Sequence, residues 1–365
     1  MRVMIATDAW QPQVNGVVRT LQSLAVSLTK LGVEVEFLTP CGFRSVALPT
    51  YPSVRLAIPG SSEITRRIEA CMPDSIHIAT EGPIGLMARA YCVKRGLGFT
   101  TSYATRFPEY VSARIPIPEA WSYAALRWFH SRAAITMVST PSLAAELTRR
   151  GFKNVGMWTR GVDATAFTPE NPAVFDLPRP IFMSVGRIAV EKNLEAFLSL
   201  DLPGSKIVIG EGPQEAELRS RFPDVHFLGL KEGKELASCI AGADVFVFPS
   251  RTDTFGIVQL EALACGTPVA AFPVTGPNDV IGDRRVGALD EDLRAACLQA
   301  LTLSKADCRE YAMGSSWENS ARAIRIPSQA APGRPRPKAD WPSGGKPKSE
   351  ANPRPLVSDW ITHES

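Results

Sequence analysis

The stretch VMIATDAWQPQVNGVVRTLQSLAVSLTKLGVEVEFL, residues 3–38, decides the fold class. Its apolar runs at 3–6 and 33–38 are typical of strands, and between them apolar residues recur at helical spacing over 17–30. Gly32 follows the helical pattern as a stop signal. A strand, a helix and a strand at this spacing form the βαβ unit of a parallel sheet, which needs helices on both faces. We therefore predict that the chain opens with an α/β domain.

The same alternation continues along most of the chain. Further strands are predicted at 75–79, 98–102, 134–139, 181–185, 206–209, 225–228, 244–248 and 268–272. Helical spacing fills the gaps, with Ser142 as the N-cap of a helix that ends near residue 149, and a proline-rich stretch at 166–180 predicts a linker. The sequence thus predicts two tandem doubly wound parallel-sheet domains, 1–165 and 181–325, facing each other across a cleft.

The tail at 326–365 has a different composition. It contains eight prolines and almost no periodic apolar pattern. Such a segment cannot bury enough surface to offset its ordering entropy, so we predict a disordered Pro-rich tail.

Charge and hydropathy narrow the class of protein. The 40 basic and 37 acidic side chains are too balanced for a dedicated nucleic-acid binder. Residues 1–165 carry 18 basic and 11 acidic side chains, whereas 166–325 carry 16 and 22. No apolar run reaches the roughly 20 residues that span a bilayer, and no signal peptide is recognised. We expect a cytoplasmic protein whose basic half can contact the anionic inner face of the membrane.

Two cations follow one predicted strand of the second half. Arg187 comes directly after Gly186, and Lys192 lies five residues later at a helix start. Arginine can grip a diphosphate with its planar fork, and lysine adds a point charge. A solvated charged loop is the alternative, but the flanking glycine and helix start favour a binding function.

The most informative segment is SRTDTFGIVQLEA, residues 250–262. It leads from a strand end into a helix that opens near Gly256, so its backbone N–H groups can point at a bound phosphate. Glu261, one turn into that helix, can accept hydrogen bonds from two adjacent sugar hydroxyls, and Asp253 can meet another sugar. A phosphate cradle between two carboxylates indicates a nucleotide-sugar site.

Two other motifs carry weaker signals. Gly16 lies between the first strand and the first helix, where a glycine allows close backbone approach and a helix N-terminus favours an anion. Asp290-Glu291-Asp292 is formally a D-x-D sequence, but it opens a predicted helix and is interpreted as a cap cluster. The seven cysteines are scattered without a C-x-x-C pair, so we predict no metal site.

The order of these motifs resembles that of the retaining glycosyltransferases of family 4, which have the GT-B fold of two Rossmann-like domains. The resemblance covers about residues 1–322, and within the family the chain is most similar to enzymes that glycosylate lipids, including diacylglycerol and sulfolipid glycosyltransferases. The residues that carry it are Val14-Asn15-Gly16-Val17, Gly186-Arg187, Glu191-Lys192-Asn193, Gly210-Glu211-Gly212-Pro213 and the segment 253–268.

The resemblance implies a donor site in the second domain. Arg187 and Lys192 would hold the diphosphate and Glu261 the ribose, while Gly16 would approach from the first domain. Asp253, together with Arg187 and Lys192, is expected to be catalytic. The remaining expected donor contacts are Gly212, Thr254, Phe255 and Gly256.

The resemblance also implies a mechanism. Family members need no metal ion, because cations hold the leaving diphosphate. Retention would pass through an oxocarbenium-like state in which the departing phosphate takes the acceptor proton. Electrostatic stabilisation of that leaving group would then be the main catalytic task.

The sequence departs from the family pattern at two site positions. Ala104 stands where relatives often have a histidine, and an alanine side chain cannot donate a hydrogen bond to the donor sugar. Tyr103, Thr105 and Arg106 are the neighbours that could replace it at the acceptor side. Asp253 stands where many relatives have the longer glutamate.

Evidence for the acceptor comes from one aromatic and basic segment. Trp121 and Trp128 are interleaved with Arg127 and Arg132, a composition that suits a lipid headgroup boundary, with Trp128 as the candidate contact. An amphipathic helix packed on the sheet is the alternative. His77, near a predicted strand end, is a further candidate for contact with an acceptor.

We therefore predict a metal-independent retaining transferase that moves a hexosyl group from a UDP- or GDP-sugar to a lipid-like acceptor such as diacylglycerol. Two alternatives stay open. The acceptor could be a polysaccharide or another soluble molecule, or the protein could be a catalytically weak or inactive relative, as Ala104 and the tail suggest.

Overall fold

A computed structural model of the chain describes residues 1–11, 13, 15–48, 51–112 and 118–324. The predicted tail at 326–365 and Val14 of the first glycine motif lie outside the described residues.

The first sheet has six parallel strands. Its first strand along the chain, Arg2–Ala6, pairs in parallel with one neighbour on each side, so the strand order reverses there. Across the sheet the strands are β2 (Glu34–Leu38), β1 (Arg2–Ala6), β5 (Ser75–Ile78), β6 (Thr100–Ser102), β7 (Ile135–Val138) and β8 (Val155–Met157), and an antiparallel pair, β3 (Ser45–Leu48) and β4 (Tyr51–Ala57), forms a separate hairpin.

The second sheet repeats this plan with six parallel strands of its own. Across the sheet they are β11 (His226–Phe227), β10 (Ser205–Ile209), β9 (Ile181–Val185), β12 (Val245–Phe248), β13 (Val269–Ala271) and β14 (Gly287–Leu289). The order reverses between β9 and β12. The predicted pair of doubly wound domains is therefore confirmed.

Helices cover both sheets and bury their apolar stripes against them. In the first half they are α1 (Gly16–Lys30), α2 (Ser61–Cys71), α3 (Pro83–Arg95), α4 (Phe107–Ser112), α5 (Glu119–His130) and α6 (Pro141–Arg149). In the second half they are α7 (Leu194–Leu198), α8 (Glu215–Arg221), α9 (Gly233–Gly242), α10 (Ile257–Ala264), α11 (Pro277–Val280), α12 (Leu293–Ala300), α13 (Lys305–Met313) and α14 (Trp317–Ala323), with a 3-10 turn at Val190–Lys192.

The last helix returns to the first domain. Ala321 and Ile324 pack in the first domain's core with Val3 and Leu21. Val162 N–H donates to the Ser315 carbonyl at 2.8 Å, where the chain crosses back. The sequence-based limit of the second domain at residue 325 was thus wrong for α14, because the apolar face of that helix is buried against α1.

The two sheets differ in polarity. The strands β9 and β12 are almost wholly apolar and buried, whereas β5 and β6 contain buried polar side chains. His77 is fully buried, with Nδ1 2.9 Å from Thr100 Oγ1 and Nε2 2.9 Å from Ser102 Oγ. The prediction that His77 could contact an acceptor was wrong, since its ring is buried in the sheet and both of its nitrogens are hydrogen-bonded there.

Of two helix caps predicted from the sequence, the structure confirms one and corrects the other. Asp292 caps α12 by accepting from Arg294 N and Ala295 N, so the interpretation of the D-x-D sequence as a cap cluster is confirmed. Thr140, not Ser142, caps α6, because its side chain accepts from Leu143 N and Pro141 occupies the first helical turn. Ser142 instead bonds to the second domain.

Candidate functional site

The site forms where the strand order of the second sheet reverses. The loops that follow β9 and β12 leave the sheet side by side at its carboxyl edge. In open α/β sheets this position is where ligands bind. The loop after β9 carries Arg187 and Lys192, and the loop after β12 carries Asp253 to Gly256. The fold thus brings together the side chains that the sequence singled out in the second half.

The N-terminus of α10 lies at this edge. Its cap residue, Gly256, has φ of 74°, and no side chain caps the first turn. The first turn also contains no acidic residue. A Cβ on Gly256 would lie 2.6 Å from Phe248 Cζ, so the loop conformation requires glycine. Backbone N–H groups at an uncapped helix start form a ready site for an anion.

Lys192 and Asp253 form an ion pair next to this helix start. The Nζ atom of Lys192 lies 2.7 Å from Oδ1 and 2.8 Å from Oδ2 of Asp253. The loop after β12 is also hydrogen-bonded to the loop after β9, because Ser250 Oγ and Thr252 Oγ1 donate to the Glu191 carbonyl at 3.2 and 3.3 Å. The two loops are therefore held together before any ligand arrives.

Glycines let a third loop pack behind Arg187. A Cβ on Gly210 would lie 2.0 Å from the Gly186 carbonyl oxygen, and a Cβ on Gly212 would lie 2.2 Å from the Ile188 carbonyl oxygen. The loop after β10 therefore supports the loop after β9 through its backbone. This gives Gly212 a structural role, and a donor contact by Gly212 stays a prediction.

Glu261 lies one turn into α10 and is only 4% exposed. Its carboxylate oxygens both lie 3.3 Å from Nη1 of Arg19, which belongs to α1 of the first domain. Burial raises the pKa of the Glu261 carboxyl, and the Arg19 guanidinium acts in the opposite direction. Sequence reasoning missed Arg19, although it lies three residues after Gly16 and thus on the same face of the same helix.

Further polar contacts join the two domains around the cleft. Thr254 Oγ1 donates to the Ala104 carbonyl at 2.9 Å, and Ser139 Oγ donates to the Thr254 carbonyl at 3.3 Å. Ser142 donates through N–H and Oγ to Oδ1 of Asp279 at 3.1 and 3.0 Å. The loop after β12 therefore contacts both domains, and Ala104 contributes its backbone at this point.

Gly16 is the first residue of α1 and is exposed. Asn15 caps the helix, because its Oδ1 accepts from Val17 N and Val18 N at 3.0 Å each. A Cβ on Gly16 would have no atom of the described residues within 4 Å. Packing within the protein therefore does not explain the glycine, which leaves a ligand contact as its predicted role.

The expected acceptor residues of the first domain fall into two groups. Tyr103 is fully buried and packs with Tyr123 and Leu126, so the expectation that it meets an acceptor was wrong. Arg106 is held by Glu146 at 2.7 Å and by Glu109 at 3.0 Å, which leaves its side chain 11% exposed. Both carboxylates are also largely buried, so the Arg106 guanidinium is held in this ion cluster.

The second group is partly accessible. Thr105 is partly buried and Trp128 is 57% exposed. The guanidinium of Arg89 lies 4.0 Å from the Trp128 ring centroid and ties the ring to α3. Trp128 is therefore placed on the surface of α5 with one face of its ring against Arg89.

The first sheet has its own reversal point, between β1 and β5, and a carboxylate fills it. Asp8 follows β1 and accepts hydrogen bonds from Ile84 N at 2.8 Å and Gly85 N at 3.2 Å, at the start of α3. Thr80 Oγ1 also donates to Asp8 at 2.9 Å. Burial raises the pKa of Asp8 against these bonds. Sequence analysis gave no signal for this residue beyond its place after a strand.

The described residues show neither a metal cluster nor a membrane-spanning helix. Across 1–324, outside the gaps given above, no group of three or more His, Cys, Asp and Glu side chains is arranged to hold a metal ion. In the same part of the chain no helix has both the length and the apolar character to cross a membrane.

Comparisons with known proteins agree with this geometry. The family model for glycosyltransferase family 4 matches residues 14–166, and the model for group 1 glycosyl transferases matches residues 179–303. A GDP-mannose-dependent alpha-mannosyltransferase of Mycobacterium tuberculosis is 30% identical over 79% of this chain and 83% of its own length.

Two other relatives have different names and activities. Sulfoquinovosyl transferase SQD2 of Arabidopsis thaliana is 31% identical over 72% of this chain and 55% of its own length. An alpha-monoglucosyldiacylglycerol synthase of Streptococcus pneumoniae is 25% identical over 86% of this chain and 81% of its own length.

Solved structures show the same fold at low identity. Sucrose-phosphate synthase of Thermosynechococcus elongatus superposes with a TM-score of 0.68 at 18% identity, covering 88% of this chain and 96% of its own. HepE of Anabaena, in complex with UDP and glucose, superposes with a TM-score of 0.61 at 14% identity, covering 88% and 97%. The expected GT-B arrangement is thereby confirmed.

Proposed function

The chain belongs to glycosyltransferase family 4, and on this basis we propose that it is a retaining enzyme that transfers a hexosyl group from a UDP- or GDP-sugar to a lipid-like acceptor. One observation carries the proposal. The uncapped N-terminus of α10 lies at the reversal point of the second sheet, between the Lys192–Asp253 pair and the buried carboxylate of Glu261. A phosphate position with the Lys192 ammonium on one side and a carboxylate that can accept ribose hydroxyls on the other matches a nucleotide sugar.

The donor would use these groups in a fixed order along its length. The ribose hydroxyls would donate to Glu261, and the diphosphate would meet the N–H groups of α10 together with Lys192 and Arg187. A diphosphate close to Lys192 would compete with Asp253 for the ammonium. Asp253 could then accept hydroxyls of the transferred sugar, because its two oxygens are bonded only to Lys192 among the side chains described here.

Catalysis would consist mainly of stabilising the leaving diphosphate. Two side-chain cations and a helix start can carry that charge, so we propose that turnover needs no metal ion. Retention requires the acceptor oxygen to attack the face from which the phosphate departs. The departing phosphate oxygen would take the acceptor proton, the glycosidic C–O bond to phosphate would break, and the new C–O bond would form on the same face.

The base and the sugar of the donor stay open. The relatives include a GDP-mannose-dependent enzyme, a sulfoquinovosyl transferase and a monoglucosyldiacylglycerol synthase, and the Anabaena protein was solved with UDP and glucose. These names support a nucleotide-sugar donor and differ in the hexose. A panel of donors is therefore the required first assay.

A lipid acceptor is supported by the outer face of the first domain. The exposed face of α5 presents Trp121 and Trp128, which are 72% and 57% exposed. Neighbouring α3 exposes Leu86 and Val93 and ends in Lys94 and Arg95. Tryptophans and apolar side chains bordered by cations suit the interface of an anionic leaflet. We propose that this face, here called the α3–α5 face, rests on the membrane that supplies the acceptor.

Donor turnover in the presence of vesicles tests the proposal. The protein would be incubated with UDP-glucose, UDP-galactose, UDP-glucuronate and GDP-mannose, each with vesicles that contain diacylglycerol and anionic phospholipid. We expect one donor to release its nucleoside diphosphate and to label the lipid, and we expect Glu261→Ala to abolish both signals. Nucleotide release and lipid labelling that persist in Glu261→Ala would contradict the proposed site.

The acceptor class has a separate test. Trp121→Ala combined with Trp128→Ala should reduce sedimentation with anionic vesicles and lipid labelling together, while donor binding is kept. If the double variant loses neither, or if the parent protein stays in solution with full activity, then a soluble acceptor is the better reading. Glu119→Ala, on the same helix and outside the aromatic stripe, serves as the matched control.

A weakly active enzyme remains the second candidate because of Ala104. Its carbonyl oxygen meets Thr254 at the donor loop, so this position faces the site without a hydrogen-bonding side chain. Ala104→His would raise turnover if the missing imidazole limits the rate. Turnover that is high in the parent protein and unchanged or lower in Ala104→His would reject the weak-enzyme reading.

A further inference from the structure

We propose that Arg19 is a positioning residue that keeps the Glu261 carboxylate ionised for the ribose and couples α1 to the donor. The inference rests on the proposed function and extends it to a residue of the opposite domain. Arg19 and Glu261 are 242 positions apart in sequence, and their side chains meet across the cleft with exposures of 26% and 6%. The contact therefore joins the two domains at a group predicted to hold the donor.

The geometry leaves Glu261 able to bind more than its partner. One nitrogen, Nη1 of Arg19, lies 3.3 Å from each oxygen of the carboxylate. An ionised carboxylate has about four lone-pair positions for hydrogen bonds. The end-on approach of Arg19 uses part of this capacity, so two hydroxyls of a ribose can still be accepted.

Protonation would remove that capacity. A neutral carboxyl keeps a single good acceptor oxygen and turns the other into a donor, which does not suit two ribose hydroxyls. Burial favours the neutral form of a carboxyl unless a cation lies close to it. Glu261 is 4% exposed, so the charge that serves the ribose depends on a neighbour.

Among the described residues, Arg19 is the cation that bonds to this carboxylate. The helix α10 packs against α9, α11, α13, β12 and β13. Arg309 of α13 donates to backbone carbonyls of Phe167, Ala264 and Ala164 instead. The other ionisable groups on these elements or directly next to them are Glu232, Lys234, Glu235, Cys239, Asp244, Cys265, Asp279, Lys305, Asp307, Cys308, Glu310 and Tyr311.

Arg19 also fixes the place of Gly16. The two residues are one helical turn apart on α1, so a contact between Arg19 and Glu261 holds the start of α1 toward the second domain. Gly16 has open space beside its Cα, which the donor would fill. One ion pair thus sets both the charge of the ribose acceptor and the approach of the first domain.

The experiment measures nucleotide affinity as a function of pH. UDP and GDP would each be titrated calorimetrically into the parent protein, Arg19→Met, Arg19→Lys and Glu261→Gln, from about pH 5.5 to 8.5 at constant ionic strength. The ratio of Kd between variant and parent removes the titration of the nucleotide phosphate itself. Thermal unfolding of each variant would establish that it is folded.

We expect Arg19→Met to bind at least tenfold more weakly than the parent at low pH and to recover as the pH rises. The reason is that removing the guanidinium raises the pKa of the Glu261 carboxyl further, so only a higher pH restores the charge. Arg19→Lys should rescue most of the loss. Glu261→Gln should be weak at every pH, and adding Arg19→Met to it should cost little more, because both changes remove the same function.

Three results would overturn the inference. Arg19→Met could bind as tightly as the parent, or it could be weaker by one constant factor at all pH values, which would indicate a purely structural role. A fully additive double variant would show that the two residues act independently. If the parent protein binds neither UDP nor GDP, the proposed function fails first, and this outcome is distinct from the other three.

Discussion

The points at which the strand order reverses have the same topology in both sheets, but the helix starts beside them differ in what their N–H groups contact. In the first sheet, Asp8 places its own carboxylate on the N–H groups of Ile84 and Gly85 at the start of α3. In the second sheet, α10 begins at Gly256 with no side-chain cap, and Lys192 lies beside it on Asp253. One helix start is satisfied from within the chain, and the other is arranged for an anion.

On the proposed function, this difference favours donor binding by the second of two similar domains. An anion that approached α3 would meet the negative charge of Asp8, whereas an anion at α10 would meet uncapped N–H groups and Lys192, for which it would compete with Asp253. The fold alone does not make this choice, because both sheets reverse in the same way. The choice lies in a few side chains, so substitutions at each point should separate donor binding from stability.

Removing Lys192 should have the largest effect on activity. Lys192→Met takes away a charge that stabilises the leaving diphosphate, and we expect kcat/KM for the preferred donor to fall by about 10²–10³. Steady-state rates of nucleotide release measure this change. Lys153→Met removes an exposed lysine that precedes β8, at the amino edge of the first sheet, and it should leave the rate unaltered. Equal rates for Lys192→Met and the parent would show that Lys192 does not stabilise the leaving diphosphate.

Removing Asp8 should affect stability instead. Asp8→Ala leaves the first N–H groups of α3 without their acceptor, and we expect a loss of about 1–2 kcal/mol in the free energy of unfolding. Denaturant unfolding measures this loss, and Asp292→Ala, which removes the cap of α12, provides the matched control. The donor Kd should stay within about twofold of the parent value. Loss of donor binding in a folded Asp8→Ala protein would indicate that the donor binds at the first sheet, contrary to the proposal.

Gly16 provides a milder test of the donor position. Since a Cβ at Gly16 meets no described atom within 4 Å, Gly16→Ala should leave the unfolding free energy unchanged to within about 0.5 kcal/mol. Donor affinity should fall by about tenfold if the nucleotide approaches this backbone, a loss near 1.4 kcal/mol. Gly98→Ala, whose added Cβ would also have no described atom within 4 Å, is the control. An unchanged Kd would remove Gly16 from the donor site.

The polarity of the first sheet predicts the smallest effect. Burial, with Arg160 nearby, lowers the pKa of His77 to about 3. An unfolded histidine has a pKa near 6.5, so the unfolded chain takes up a proton before the native one does. The contribution of neutral His77 to the free energy of unfolding is therefore fully present above about pH 6.5. It decreases as the pH falls, by about 1 kcal/mol between about pH 7 and 5.5.

Denaturation curves at several pH values check this effect. His77→Gln should show a flatter dependence on pH, and the exposed His226→Gln should behave like the parent. A parent protein whose stability does not change over this range would contradict the buried neutral imidazole.

Much of the fold could be predicted from periodicity, because each strand and helix follows a local apolar pattern. The βαβ unit at 3–38 and the second series from residue 181 appear in the structure as β1–α1–β2 and from β9 onward. The return of α14 to the first domain could not be predicted, because its apolar face gives no information about which domain covers it. The cap of α6 was missed by two residues, since Thr140 and Ser142 are both good cap residues and only the backbone decides.

The candidate site was predictable where its residues are close in sequence to a strand end. Lys192, Asp253 and Glu261 follow β9 and β12 in this way, and topology brings their loops together. Arg19 and Asp8 were missed because their partners lie 242 and 76 positions away. Tyr103 was misassigned for the same reason, since its burial depends on α5 and α6 packing over it.

Nucleotide titration is the most direct test of the central claim, which is that the donor diphosphate binds at the reversal point of the second sheet. UDP and GDP would be titrated into the parent protein, Lys192→Met and Asp8→Ala, all in the presence of EDTA. We expect one nucleotide to bind the parent without metal, Lys192→Met to lose most of this affinity and folded Asp8→Ala to keep it. Undiminished binding by Lys192→Met, or binding lost in folded Asp8→Ala, would contradict the claim.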